Sequence, residues 1–281
     1  MLDIANDLLS GEIHGRAIGT APTANHGGVI APRLLVFHYT ACDFTAAKNT
    51  FLSTAGKNRV SAHLLVDTDG TVTQFVPFNR RAWHAGESHW GDLNDINTHS
   101  IGIEVVNYGY LLKTAAGTFR LGNGKPLPFD PDEIIEARHK NPKLPYRYWQ
   151  AYTPAQIETC EQLAVLLVQR YGLIDVVGHD DIAPDRKQDP GPAFPLLGIR
   201  GKALGRDAAS DGDEVRYVGV KRLNLRKGPG VEHALAGEPL VMHSKLIVQG
   251  REGGWIQVVV ASASGARGGW VLGEYTQAAP I

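Results

Sequence analysis

LLVFHYT, residues 34–40, is a short apolar run of β-prone residues and reads as a buried strand. The pattern continues outward from it. Asp43 can cap a helix over roughly 44–55, which Gly56 would end. SAHLLVDTDGTVTQFV (61–76) reads as two strands joined at Asp69-Gly70, a hairpin pair of residues. SIGIEVV (100–106) alternates apolar residues and is a further strand. Thr153 begins the clearest helix: Pro154 sits at the first helical position and Gln156 two later completes a capping box. Ile157, Leu163, Leu166, Leu167 and Tyr171 line one face of that helix, and Gly172 stops it. IDVVGHDD (174–181) is then a short strand running into a loop. Strands alternating with helices predict an α/β domain built on one mixed central β-sheet flanked by helices.

The rest of the chain is organised around that core. Residues 1–33 are polar and Gly/Ala-rich and read as an irregular lead-in; 107–150 read as a long surface insertion holding short local elements. The α/β pattern ends near Leu197, so the domain is placed at 34–197. Residues 198–213 read as a linker. Residues 214–281 show no helical period, only short β-prone runs between Gly- and Pro-containing turns, the pattern of a small all-β barrel.

Composition narrows the function classes. The 281 residues carry 28 basic and 29 acidic side chains, so nothing in the total implies a nucleic-acid partner. No run approaches the ~18 apolar residues of a membrane span. MLDIANDLLSGEIHG lacks a basic n-region and does not read as a secretory signal, which favours cytoplasmic synthesis. Two cysteines, Cys42 and Cys160, exclude a disulfide-dense scaffold and a four-thiolate zinc site. With 11 histidines present, a metal site here has to come from His and carboxylates.

His38 ends a predicted strand, a rigid place from which to project a ligand or catalytic group; a core histidine is the plainer reading. GHDDIAPDRKQDPGPAFP (178–195) interleaves ionisable groups with Pro184, Pro190 and Pro192, so His179 and Asp189 sit in a stiffened loop and can ligate a metal. Two histidines and one carboxylate suit zinc with the fourth position left to water. Glu104, the one acid in SIGIEVV, is the candidate proton acceptor, and Lys187 a candidate for stabilising an oxyanion; each is also readable as a solvated side chain. The residues alone do not choose among His38, His63, His84 and His179 as ligands.

HYTA (38–41), RVSAHLLVDTDGTVTQFVPFNRRAWHAG (59–86), NTHSIGIEVVN (97–107), YTPAQ (152–156) and GHDDIAPDRKQDPGPAFP (178–195), in that order, resemble the zinc-dependent N-acetylmuramoyl-L-alanine amidases, in particular the muropeptide-recycling and wall-trimming branch of a superfamily that includes the peptidoglycan recognition proteins. The resemblance implies zinc on His38, His179 and Asp189, Glu104 as general base and later proton donor, and Lys187 beside the reacting oxygen. The implied reaction cleaves the amide between the lactyl group of N-acetylmuramic acid and L-alanine, on peptidoglycan or muropeptides. Arg59, Trp83, His84 and Arg186 are candidates for binding substrate, while His63 reads as structural. The insertion at 107–150 is longer than in compact recycling enzymes, which usually lack an added β module.

LNLRKGPG (223–230), GGWIQV (253–258) and GGWVLGEYT (268–276) are similar to bacterial SH3-like (SH3b) domains, which implies a wall-binding module at 214–281. Two other functions stay open at this stage. One is a non-catalytic recognition protein on the same fold, the other an endopeptidase acting on the same polymer.

Overall fold

The computed structural model describes residues 2–56, 59–205, 214–262 and 265–278. They form two compact units: Met1–Gly109 with Tyr152–Gly191, and Tyr110–Ala151 with Pro192–Ile281.

The first unit is built on a six-stranded mixed sheet. In chain order its strands are β1 (Gly19–Thr20), β2 (Leu34–Tyr39), β3 (Leu64–Val66), β4 (Val72–Gln74), β5 (Ser100–Val105) and β6 (Asp175–Gly178), and in space they run β6-β2-β5-β3-β4-β1. The four strands β6, β2, β5 and β3 are mutually parallel; β4 returns antiparallel beside β3 through the turn at Gly70, whose φ of 80° only glycine adopts freely. The central strands are apolar almost throughout, with Leu34, Leu35, Val36, Phe37, Ile101, Ile103, Leu64 and Leu65 fully buried. That is what a parallel sheet covered on both faces requires.

Helix α1 (Phe44–Leu52) starts where Asp43 Oδ1 accepts from the Ala46 amide at 2.8 Å. It ends at Ser53, three residues before Gly56. The physical reason is that Thr23 and Asn25 donate to the Phe51 carbonyl, and Asn25 also to the Ser53 carbonyl, so the last turn is satisfied from outside. Helix α2 (Pro154–Tyr171) carries the expected capping box and stops at Gly172 in the left-handed region. It packs on the sheet against β2 and β3.

Residues 1–33 differ from the irregular segment expected. Asp3–Ala5 pairs with Leu8–Ser10 around Asn6 and Asp7, and Glu12–Ile13 with Arg16–Ala17 around His14 and Gly15. All four turn residues have positive φ, the geometry of tight hairpin turns that match strand twist. Gly19–Thr20 then extends the main sheet, and His26–Val29 pairs with Arg80–Ala82.

The second unit joins two stretches distant in sequence. Within 107–150, four short strands form an antiparallel sheet in the order Phe119–Leu121, Tyr110–Lys113, Tyr148–Gln150, Ile134–Glu136. The C-terminal part is all-β: a five-stranded sheet around Val218, Leu225, Leu246, Val258 and Val271, plus a two-stranded pair, Arg222–Leu223 with Leu240–Val241. The two parts interlock. The Trp270 indole N–H donates to the Glu136 carbonyl at 2.6 Å, and the Glu136 amide donates to the Lys227 carbonyl at 2.9 Å. Arg147 bridges Glu136 and Glu252 at 2.7 and 2.8 Å. Trp270 is therefore a buried packing residue, whereas Tyr275 is 45% exposed. Of the predicted linker, Leu196–Leu204 is helical and 206–213 lie outside the described residues.

His63 shows how the sheet uses a histidine structurally. Fully buried, it accepts from the Gly102 amide at Nδ1 (2.9 Å) and donates from Nε2 to the Arg80 carbonyl (2.8 Å). Burial lowers its pKa to about 4 from 6.5. Below pH 6.5 the unfolded chain takes up this proton and the folded chain does not, so the stability His63 confers falls as pH drops toward 4. With one pKa unit worth 1.36 kcal/mol, the gap in unfolding free energy between wild type and His63→Gln should narrow by about 3 kcal/mol from pH 7 to pH 4 in urea titrations. A gap independent of pH would show that His63 is not held neutral.

Candidate active site

Register brings the ionisable groups together. In the β2/β5 pairing His38 lies directly beside Glu104, and in the β6/β2 pairing Gly178 lies beside Phe37. His179 therefore follows at the level of His38. All three stand at the carboxyl ends of adjacent parallel strands, where open α/β sheets place their ligands. After β6 the chain turns at once into a short helix, His179–Ile182, capped by Asp181, whose Oδ2 accepts from the Gly178 amide at 2.7 Å. The following loop closes back on it, the Asp180 amide donating to the Asp189 carbonyl at 2.8 Å. That closure delivers Asp189 to the two histidines.

The three donor atoms converge. His38 Nδ1 and His179 Nδ1 are 2.8 Å apart, and Asp189 Oδ2 is 3.1 and 2.8 Å from them. Each residue is buried, and the set could hold a metal ion. Ligands about 2.0–2.2 Å from a tetrahedral ion lie about 3.3 Å from each other, close to this spacing. The donor chemistry also fits. His179 donates from Nε2 to the Ala85 carbonyl at 3.0 Å, so its Nδ1 presents a lone pair toward the cluster, where Asp189 Oδ2 is an acceptor too. Acceptors held this close without solvent are stabilised by a cation.

Burial sets the charge states. It lowers His38 to about 4, with the neighbouring His179 pushing the same way and Asp189 opposing. Burial alone would raise Asp189, but its close contacts with the His179 and His38 rings outweigh it and hold the carboxyl well below the usual range. Glu104 goes the other way: desolvation raises its pKa well above normal, Asp189 adds to the rise and Lys187 opposes it. Glu104 Oε2 is buried and, among the described residues, has no hydrogen-bond partner. A carboxyl of this kind is suited to exchanging a proton.

Glu104, His179 and Asp189 line a cavity of about 390 Å³, within the usual range for small-molecule sites. Glu104, Lys187, Arg186, Trp83 and His84 are on its wall together with His179 and Asp189. Arg59 is not on that wall; its guanidinium lies over the Trp83 ring, 5.8 Å from the centroid. Arg186 donates to the carbonyls of Ala85 and Glu87 at 2.8 and 2.7 Å, fixing the loop that carries the cavity edge. Both ring nitrogens of His84 are engaged within the protein: Nδ1 is 2.9 Å from His38 Nε2, and Nε2 is 3.2 Å from Ser100 Oγ. His84 thus lines the cavity, as expected of it, with both ring nitrogens engaged inside the protein. Ser100 and Asn97 have no place in the sequence reading, although both lie in NTHSIGIEVVN. Asn97 Oδ1 accepts from the amides of His84 and Ala85 at 2.9 and 2.8 Å, which no residue pattern announces.

A profile of the N-acetylmuramoyl-L-alanine amidases matches residues 29–192. The chain belongs to this family. It is 33% identical over 182 residues to N-acetylmuramoyl-L-alanine amidase AmiD of Escherichia coli K12, covering 62% of this chain and 54% of AmiD. It is 37% identical over 138 residues to 1,6-anhydro-N-acetylmuramyl-L-alanine amidase AmpD of the same organism, covering 48% of this chain and 54% of AmpD. The chain thus spans about half the length of the curated relatives it matches. Among solved structures, E. coli AmiD in complex with anhydro-N-acetylmuramic acid-L-Ala-D-γ-Glu-L-Lys aligns with a TM-score of 0.47 at 31% identity, over 66% of this chain and 62% of that one. The amidase blocks, from HYTA through Asp189 to Pro192, fall within the matched residues, and only 193–195 of the last block lie beyond them.

Asn97 gives a test of how the cavity-edge loop is held. Asn97→Ala strands two buried amide donors at about 1–3 kcal/mol each, so unfolding free energy should fall by at least about 2 kcal/mol in denaturant titrations. An unchanged value would mean that the loop is held elsewhere.

Proposed function

We propose that this amidase-family chain hydrolyses the amide joining the lactyl group of N-acetylmuramic acid to L-alanine, in peptidoglycan or its muropeptide fragments, and that zinc is its metal. The observation that carries the reading is the unpaired, buried Glu104 Oε2, which shares one cavity with His179 and Asp189 and stands beside His38 in the strand register. The family match and the relatives AmiD and AmpD, named as N-acetylmuramoyl-L-alanine and 1,6-anhydro-N-acetylmuramyl-L-alanine amidases, support the choice of substrate.

His38, His179 and Asp189 would hold the zinc. Two imidazoles and one carboxylate are a donor set of catalytic zinc sites, and the absence of a thiolate cluster fits an open rather than a closed site. A zinc ion there supplies a Lewis acid that polarises the scissile carbonyl and lets water ionise near neutral pH.

The remaining steps belong to the chain's own groups. Glu104 takes a proton at Oε2 from the attacking water as the new C–O bond forms. When the C–N bond breaks, the same carboxyl gives that proton to the departing alanine nitrogen. Desolvation raises its pKa well above normal, which favours holding that proton between the two transfers. Lys187, on the cavity wall and without an ion-pair partner among the described residues, offsets the negative charge that develops on the carbonyl oxygen. Trp83 offers an aromatic face to a sugar ring, with Arg59 over it as a cation for a peptide carboxylate.

We place the catalytic domain at 34–197, with 107–150 as an insertion, and read 214–281 as an SH3b module. LNLRKGPG and the two Gly-Gly-Trp segments support that reading. Wall binding by the module is part of the same proposal.

Metal analysis and product analysis test it together. Wild type should contain one zinc per chain and release peptides with a free L-alanine amine from muropeptides. Glu104→Ala should keep the zinc and lose at least about a hundredfold in kcat, the range assigned to a positioned proton carrier. His179→Ala should lose the zinc. Products cut within the peptide, or near-normal turnover by Glu104→Ala, would overturn the assignment.

A further inference from the structure

We propose that His84 and Ser100 form a fixed-polarity relay that sets the tautomer of His38 and aims its Nδ1 lone pair into the metal cluster. His84 is in this view a positioning residue, not a substrate contact. The inference rests on the metal reading of His38, His179 and Asp189 given above.

The polarity follows from the far end of the chain of contacts. Ser100 Oγ lies 2.7 Å from the Ile96 carbonyl, which can only accept. A hydroxyl has one proton, and Ser100 gives it there. Toward His84 Nε2, at 3.2 Å, the Ser100 oxygen can then only accept, so His84 carries its hydrogen on Nε2. His84 Nδ1 is consequently an acceptor, and at 2.9 Å it takes the Nε2 hydrogen of His38. What remains on His38 is an Nδ1 lone pair, directed at His179 Nδ1 and Asp189 Oδ2. The metal-binding tautomer of His38 is thus specified by a backbone carbonyl three hydrogen bonds away.

The surroundings leave the relay little freedom. His38, His84 and Ser100 are buried, so no water competes for these contacts. The His84 backbone is held by Asn97, and its ring lies against Gly102, where a Cβ would collide with it. β5 thus supplies the relay acceptor at Ser100 and the clearance at Gly102. The relay ends on a carbonyl with no proton to pass on, so it orients and does not conduct. The second histidine ligand needs no such device, because its Nε2 donates straight to the Ala85 carbonyl. One loop, His84-Ala85, therefore orients both histidines, but only the His38 arm runs through side chains. Partners that orient ligands in this way are typically worth about 10–100-fold in metal affinity.

The test is zinc affinity of the full chain, stripped by chelation and titrated against a chromophoric chelator, with cobalt substitution as a spectroscopic readout of the ligand set. His84→Leu removes the acceptor and should weaken zinc at least about tenfold and change the cobalt absorption bands. His84→Asn keeps an acceptor near the position of Nδ1 and should recover most of the affinity and the native bands. Ser100→Ala should weaken zinc in the same direction. The double variant His84→Leu/Ser100→Ala should bind no more weakly than His84→Leu, because the serine acts only through the histidine. Equal losses in the Leu and Asn variants, additive losses in the double variant, or a raised KM with zinc affinity intact would each overturn the relay. If His84→Leu does not fold, the Asn and Ser100→Ala variants decide the matter. A wild-type chain that binds no zinc overturns the metal reading and the relay together, whereas wild-type binding with unaffected variants overturns the relay alone.

Discussion

The parallel register of three strands is the constraint on which the site depends. His38 lies beside Glu104, and Gly178 beside Phe37, because β2 pairs with β5 and β6 in one alignment. Side chains alternate along a strand, so a slip of one residue would turn His38 or Glu104 to the opposite face of the sheet. What prevents the slip is apolar burial. Leu34, Val36, Ile101 and Ile103 are fully buried in this alignment. The same hydrophobic effect that makes the sheet fixes the distances between the groups that do the chemistry.

That arrangement runs against the stability of the chain. Three histidines and two carboxyls are brought out of water at the end of a sheet whose other positions are apolar. Burial holds His38 and His84 neutral and raises Glu104, so several groups stand far from their solution behaviour in one small volume. His63 shows the contrast. It is as deeply buried, but both of its nitrogens are matched to backbone groups, and it is not on the cavity wall. In the His38–His179–Asp189 cluster and its neighbour Glu104 the matching is incomplete, at Glu104 Oε2 and where the three donor atoms converge.

What the sequence disclosed and withheld follows from the range of each interaction. β2, the Asp69-Gly70 hairpin and the capping box at Thr153 depend on neighbours within a few residues, and each is visible as a local pattern. Glu104 stands out as the one acid in an apolar strand, and the loop at 178–195 as a dense run of ionisable groups and prolines. The hairpins of residues 1–33 carry a local cue as well, but it lies in the positive φ of Asn6, Asp7 and His14 rather than in a hydrophobic alternation. Helix α1 ends early because of Thr23 and Asn25, some 25–30 residues away in sequence. The bonding of His84 depends on Ser100 and His38 meeting in space, so a histidine in RAWHAG reads equally well as a surface group.

The second unit changes how the β module is to be understood. Judged by sequence, 107–150 is an insertion in one domain and 214–281 a separate appendage. In the structure they fold together, with the strand at Ile134–Glu136 pinned against the module by Trp270, Lys227 and the Arg147 pair of bonds. Trp270 belongs to the GGWVLGEYT segment that marks the SH3b resemblance, and its indole N–H is already given to Glu136. The Trp270 indole is therefore already engaged within the unit, whereas Tyr275 is exposed. The same interlock bears on truncation. Cutting the chain before residue 214 removes the partners of Glu136 and Arg147 along with the module. It leaves the Glu136 amide and the half-buried Arg147 without the partners that the module gives them, so such a fragment loses stability as well as the module.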